Sequence, residues 1–356
     1  MSFPGAPPTP TKLGVYRQLA PRAGIHVSPL VLGAMSLGDK WTGWGFGAMS
    51  KEDSFKYLDA FFDAGGNFID TASNYQDGAS EMVIGEWAEH VHARGDPSIK
   101  QYPAYVGNHV KNLKLTLETS LKRLRTSYVD ILYLHYWDLH TDVEEIMDGL
   151  HNLFVQGKVL YLGKANDYAR QHGKTPFVVY QAAYSVLQRD IEREILPMCH
   201  HEGIALTLWN VLAEGHIRSD EEEARRRQTG EKGRHVLRPW ERTPDEKKMC
   251  DALEVVRKQV SAKNIQAVAI AYTMHKAPYV FPIFGGRKVE HLHANIEALS
   301  VSLTKEQINY IDGILPFEIG FPHVYIGQLG TYPFMMTMHV NYDAQPLLPP
   351  IPHTKS

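Results

Sequence analysis

Cysteine is almost absent from this 356-residue chain. Cys199 and Cys250 are the only two, too few for a disulfide framework, so the sequence reads as intracellular, with the cytoplasm as the expected location. No apolar run approaches the ~20 residues of a membrane span. The Pro-rich opening, Met1 to Lys12, has no apolar core of the kind a signal peptide carries. An excess of one charge is missing too: the net charge is −3, which gives no electrostatic reason to expect nucleic acid or membrane as partner. There is no low-complexity tract. Also lacking is the Gly-x-Gly-x-x-Gly turn that opens a doubly wound nucleotide-binding sheet. The nearest Gly-rich stretch, Gly43 to Gly47, has aromatic spacers and no helix start. Cys199-His200-His201 and His291-x-His293 bring potential metal ligands together without the spaced second pair of a structural zinc site, and no metal is expected.

Short β-rich runs alternating with amphipathic helical patterns are plentiful. Candidate strands are Leu30–Ala34, Asn67–Asp70, Val129–His135, Val159–Gly163, Phe177–Gln181, Ile204–Trp209 and Val280–Phe284. Several are apolar almost throughout, as strands buried on both faces are. Between them, Lys51–Ala64, Lys111–Leu124 and Asp142–Gln156 carry apolar residues at helical spacing, the last stopping at Gly157. This is the pattern of βα units on a parallel sheet, and without the Gly-rich turn a closed barrel is favoured over an open sheet. Arg218–Arg242 is a mixed-charge run that reads as a mobile loop or exposed helix. Phe317–Ser356, rich in Pro, aromatics and Met, reads as a tail that wraps rather than a domain.

Polar residues capable of carbonyl chemistry fall at strand ends. Asp70 closes Asn67–Asp70, Tyr75 follows five residues on, His135 closes Val129–His135, and Gln181 ends Phe177–Gln181. A lone Asp/Tyr pair or a lone His after a strand is usually a turn or rim residue. Groups at equivalent ends of several strands belong where barrel enzymes keep their chemistry.

Gly-Asn-Phe-Ile-Asp-Thr-Ala (66–72), Tyr-Val-Asp-Ile-Leu-Tyr-Leu-His (128–135), Gln-Gly-Lys-Val-Leu-Tyr-Leu-Gly (156–163) and Phe-Gly-Gly-Arg-Lys-Val-Glu-His-Leu (284–292) appear in this order. Together they resemble the aldo-keto reductases, in particular the fungal aryl-alcohol dehydrogenase and norsolorinic acid reductase-like branch. The resemblance implies a (β/α)8 barrel over residues 13–316, between a lead (1–12) and a tail (317–356). It implies NADPH as cofactor and reduction of an aromatic or polyketide ketone or aldehyde in fungal secondary metabolism. Carried over residue by residue, Tyr75 is the proton donor, Asp70 the carboxylate of the relay, and His135 the group that orients the carbonyl. Gln181 meets the nicotinamide carboxamide, Trp209 stacks on the ring, and Asn210 and Leu212 follow the pyrophosphate. Gly285, Arg287, His291 and Asn295 match the adenosine-phosphate corner, where a guanidinium suits a 2′-phosphate. The Trp41–Gly47 loop can stack on a flat substrate or simply pack on its own barrel.

Two segments depart from the family. Its catalytic lysine ends a third strand, and here residues 94–103 read as loop; Lys100 is the only lysine in that gap and has no strand before it, although Tyr102–Val106 can supply an irregular one. After Gly163 the expected Ser-Asp or Ser-Asn pair is replaced by Lys164-Ala165-Asn166, and 13 residues separate Gly163 from Phe177, close to the ≥ 10–12 minimum for a parallel crossover. The barrel is therefore expected to be imperfect at its third strand. An alternative function follows: an impaired homologue that binds NADPH as a sensor or partner. A further alternative is that the chain lacks a strand-bearing segment after Ala93.

Overall fold

The computed structural model describes residues 9, 11–20, 23–44, 49–92, 108–137, 141–163, 167–230, 239–286, 288–327, 330–343 and 347–351. An antiparallel hairpin that the sequence patterns did not reveal comes first: β1 (Arg17–Ala20) pairs with β2 (Ala23–Val27). Its Leu19, Ala20 and Val27 are buried against Val31, Phe68, Val179, Ala205 and Phe281. Those partners lie at or just before the amino ends of parallel strands or, for Phe281, one residue in, so the hairpin covers that end of the sheet and leaves the carboxyl ends to the site.

Seven parallel strands follow: β3 (Val31–Gly33), β4 (Ile69–Asp70), β5 (Val129–Tyr133), β6 (Val159–Gly163), β7 (Val179–Ala183), β8 (Ala205–Trp209) and β9 (Val280–Phe284). The first, β3, pairs with both β4 and the last strand, β9. That closure of first on last is a barrel's, and excludes a doubly wound sheet. The ladder runs β4-β3-β9-β8-β7. A parallel bridge between Leu162 and Phe177 carries it on to β6, which pairs with β5. Among the described residues no ladder joins β4 to β5. The expected loop 94–103, with Lys100 and the candidate strand Tyr102–Val106, lies outside the described residues, as does Asn166.

Helices cover the outer face, and their ends follow local chemistry. In α1 (Lys51–Asp63) the Ser50 hydroxyl caps the first turn by accepting from the Asp53 N–H at 3.0 Å. Next come α2 (Ala79–His92), α3 (Val110–Leu124), α4 (Val143–Val155), the one-turn α5 (Asp167–Gln171) and α6 (Ile195–Glu202). The shortness of α5 reflects the short crossover after Gly163. Beyond β8 lie α7 (Asp220–Thr229), α8 (Pro244–Gln259) and α9 (Ile265–Met274), and beyond β9 come α10 (Val289–Ile296) and α11 (Lys305–Asp312). A Thr243/Glu246 capping box starts α8. Apart from the partly exposed Gln266, α9 is buried throughout, as a helix apolar on all sides must be. No helix among the described residues is long and apolar enough to cross a membrane.

Over residues 220–229 the run Arg218–Arg242 takes the exposed-helix alternative rather than the mobile loop. It contains α7, and its two ends are locked together. Arg218 is 1% exposed, and its guanidinium donates to the carbonyls of Gly215 (2.9 Å) and Trp240 (2.5 Å) and to Glu223 (3.2 Å). Arg242 donates to the Arg218 carbonyl (2.8 Å), to Asp220 (2.6 Å) and to Glu223. Burial works to raise the Glu223 carboxyl, but the hydrogen bond and charge of Arg242, with Arg218 and Arg227, hold it below the ordinary range. Arginines spaced for solvent in the sequence are thus drawn inward by one shared carboxylate. Residues 231–238 lie outside the described residues. In the C-terminal segment, Phe317 lies under the guanidinium groups of Arg189 and Arg193, each 4.8 Å from its ring centroid.

Candidate active site

The carboxyl ends of the parallel strands open into a cavity of about 1070 Å³. Asp70, Tyr75, His135, Gln181, Trp209, Asn210, Leu212, Gly285 and His291 all line it. Asn295 is buried on α10, 4% exposed, and does not contribute to the lining. Arg287 lies outside the described residues.

Asp70 is the last residue of β4; Gln181, expected to end its strand, sits at the centre of β7 because the ladder to β8 runs on to Ala183, and its side-chain amide donates to Asp70 at 3.2 Å. Burial pushes the Asp70 carboxyl up to about 6, with the Gln181 bond pulling the other way. Beside it, the Tyr133 hydroxyl pairs with the Thr207 hydroxyl at 3.3 Å. Burial raises that phenol and the charge of Asp70 adds to the rise, while the Thr207 bond opposes it. Among the described residues no cation pairs with Asp70.

Tyr75 opens the turn Tyr75–Gly78, in which Gln76 (φ 53°) and Asp77 (φ 55°) are both left-handed. After β8 a second turn holds Asn210 (φ 61°), Ala213 (φ 49°) and Glu214 (φ 57°) in the same region. Five of the eight non-glycine residues with positive φ among those described therefore sit at two strand ends on one rim. Each such conformation costs about 1–3 kcal/mol and persists where the surroundings impose it, most often at functional sites. His135 lies two residues beyond β5 rather than closing it, because the ladder to β6 ends at Tyr133 and Gly163. Trp209 ends β8 with its side chain half exposed. The Asn210 amide nitrogen donates to Gln188 at 3.1 Å, while its buried Oδ1 has no partner.

A family model described as "Aldo/keto reductase family" matches residues 29–316. The chain belongs to the aldo/keto reductase family. It is 51% identical over 370 residues to an aryl-alcohol dehydrogenase (NADP(+)) of Phanerodontia chrysosporium, with 96% of each chain covered. It is 46% identical over 346 residues to the aldo-keto reductase ausK of Emericella nidulans, covering 90% of this chain and 86% of that one. Identity to norsolorinic acid reductase A of Aspergillus parasiticus is 43% over 364 residues, covering 95% and 90%. The first alignment spans 370 residues yet takes in 96% of a 356-residue chain. That aryl-alcohol dehydrogenase therefore carries residues within it that have no counterpart here, and the segments after Ala93 and Gly163 are the ones that read as short.

Two side chains at this aldo/keto reductase site escaped sequence reasoning. Arg123, in the last turn of α3, donates to the Ser73 carbonyl at 2.9 Å and lies 3.3 Å from Glu81. It packs under the Tyr75 turn so closely that a Cβ on Gly78 (φ +86°) would lie 2.6 Å from its guanidinium carbon. Only glycine fits there. Nothing local distinguishes Arg123 from an ordinary basic residue at a helix end. Arg226, on α7, lines the cavity beside Leu212 and Gly215. It donates to Glu222, which also accepts from Gln266 at 3.1 Å, and its buried Nε has no partner. A signal for it did exist: Ser219 followed by acids and then by arginines four residues on is a well-ordered helix start.

Proposed function

We propose that this protein is an NADPH-dependent reductase of aromatic or polyketide-type ketones and aldehydes, a reading supported by relatives named aryl-alcohol dehydrogenase (NADP(+)) and norsolorinic acid reductase A. The observation that carries the reading is the gathering of Asp70, Tyr75, His135 and Gln181 with Trp209 and Asn210 around one cavity at the carboxyl-end rim of a barrel of this family. Support for a dinucleotide comes from the residues themselves. Asn210 Oδ1 and Arg226 Nε are buried polar atoms without a partner on two lining residues, and the half-exposed Trp209 indole offers a flat apolar face. When bound, NADPH supplies a hydride to the carbonyl carbon.

In this reading Gln181 holds the carboxamide and Trp209 supports the ring. Asn210, Leu212 and Arg226 follow the diphosphate, and Gly285, Arg287, His291 and Asn295 serve the adenosine phosphates. His135 donates a hydrogen bond to the substrate carbonyl and fixes its direction. Tyr75 gives its phenolic proton to the carbonyl oxygen as that oxygen gains charge, and the phenolate is then reprotonated from water. In reduction Tyr75 gives up its proton and in alcohol oxidation it takes one; among the described residues no lysine stabilises the phenolate, and Lys100 lies outside them. Loss of an electrostatic partner of the phenolate is commonly worth ~2.7–4 kcal/mol and slows reduction and oxidation by the same factor at a given pH, because the overall equilibrium is fixed.

The test is Tyr75→Phe. Turnover of an aromatic aldehyde should fall about a thousandfold, with NADPH affinity by fluorescence titration within twofold of wild type. A second reading, nucleotide binding without catalysis, is favoured by one observation, the absence of a cation beside Asp70 among the described residues. Tight NADPH binding by the wild-type chain with no single-turnover hydride transfer would select that reading instead.

A further inference from the structure

The loop after β3 is strapped onto the turn that carries Tyr75, and one side chain does most of the strapping. Gln76 is fully buried. Its Nε2 donates to the Met35 carbonyl at 3.0 Å, and its Oε1 accepts from the Trp41 backbone N–H at 2.9 Å. The Trp41 indole N–H donates to Asp77 Oδ1 at 3.1 Å. Gly38 (φ +125°) lies so close that its Cβ would come within 3.1 Å of Gln76 Cβ and Cγ. Both ends of the Gln76 amide are used with opposite polarity. Glutamate at this position could not donate to Met35, and asparagine is one methylene short. Trp41 is thereby fixed at its backbone and at its ring, with the indole edge-to-face on Tyr75, centroids 6.3 Å apart and planes at 74°. Both rings line the cavity.

We infer that Trp41 is the specificity-determining wall of the carbonyl pocket and Gln76 the positioning residue that presents it. This rests on the reductase reading above. An indole held in place before the substrate arrives loses no rotamer freedom on binding, so its flat face selects planar aromatic carbonyl compounds over aliphatic ones of similar reactivity. Because Gln76 and Asp77 directly follow Tyr75, the same strap holds the proton donor in its strained turn. The size and flatness of the accepted substrate and the orientation of the phenol are therefore set by one set of hydrogen bonds.

The experiment compares 2-naphthaldehyde with butanal, using NADPH and the full chain. Trp41→Ala should lower the naphthaldehyde-to-butanal ratio of kcat/KM about tenfold, chiefly through KM for naphthaldehyde, and Trp41→Phe should restore most of it. Gln76→Glu should reproduce the KM change, and Trp41→Ala combined with Gln76→Glu should add little to either alone, because the two act as one unit. A ratio within twofold of wild type in Trp41→Ala would overturn the inference. So would full additivity of the two substitutions. Calorimetric binding of 2-naphthaldehyde in the presence of NADP+ needs no turnover. A wild-type chain that reduces neither aldehyde would defeat the reductase reading, and weaker naphthaldehyde binding by Trp41→Ala would still support the wall. Equal binding by wild type and Trp41→Ala would remove it. If Trp41→Ala does not fold by circular dichroism, Trp41→Phe against Trp41→Leu gives the same comparison.

Discussion

Strands β7, β8, β9 and β3 form an unbroken ladder in which four of the five residues of β8 and four of the five of β9 are buried. On the opposite side β4 is two residues long and β5 has no fully buried residue. A parallel strand is stabilised by cover on both faces, and β5 has it only in part, Ile131 and Tyr133 packing against one buried cluster and Val129 and Leu132 against another. The residues assigned to the cofactor (Gln181, Trp209, Asn210, Leu212, Gly285, His291) rise from the well-covered arc, whereas Asp70, Tyr75 and His135 rise from the thin one. In the proposed reading, cofactor binding and proton transfer therefore rest on scaffolds of unequal strength. The straps on Tyr75 from Arg123 and Gln76 compensate locally for what the thin side lacks in sheet pairing.

Truncation within the two arcs should break the comparison most visibly. Phe281→Ala, in the fully buried heart of β9, should cost about 3–5 kcal/mol, and Ile131→Ala on β5 about 1–2 kcal/mol, both read from urea melts. Equal costs would show that the two sides are equally packed.

Asp70 sharpens the contrast, because its partly buried, desolvated carboxylate is a burden on the thin side. Burial raises it from 3.8 to about 6, so the folded chain holds this proton more tightly than the unfolded one. Its effect on stability is then neutral below about pH 4 and increasingly unfavourable as pH rises through 6. Asp70→Asn should remove that decline and stabilise the fold at pH 7 by about 1–3 kcal/mol while lowering turnover. A melt series from pH 4 to 8 that is parallel for both proteins would contradict the assignment.

The smallest effect concerns the strong side. Arg226→Ala should weaken NADPH about tenfold, and the affinity of the variant should depend less steeply on salt than that of wild type. Unchanged affinity would place Arg226 outside the diphosphate path.

Much of the fold was legible along the chain. Seven apolar runs became β3 to β9 with ends shifted by three residues or fewer, because buried parallel strands are nearly continuous in hydrophobicity. The β1–β2 hairpin was not legible, since its strands are short and its burial depends on Phe68, Val179 and Phe281 from distant units. In Arg218–Arg242 charge density made an exposed helix legible, but only three-dimensional proximity reveals Glu223 shared between two arginines. At the site, the strand-end position of Asp70 was readable; Gln181, expected to end its strand, lies at the centre of β7, and the hydrogen bond between them, across 111 positions in the chain, was not legible.

By itself the sequence determined the alternation of strand and helix, the family, and the residue types available for hydride and proton chemistry, because periodicity and local motif are written in neighbouring positions. Tertiary structure alone decided that Asp70 is raised by burial with Gln181 as its partner, that Arg226 borders the cavity, and that Gln76 ties Trp41 to Tyr75. Burial, charge pairing and two-ended hydrogen bonds are properties of residues brought together in space, and no linear pattern encodes them.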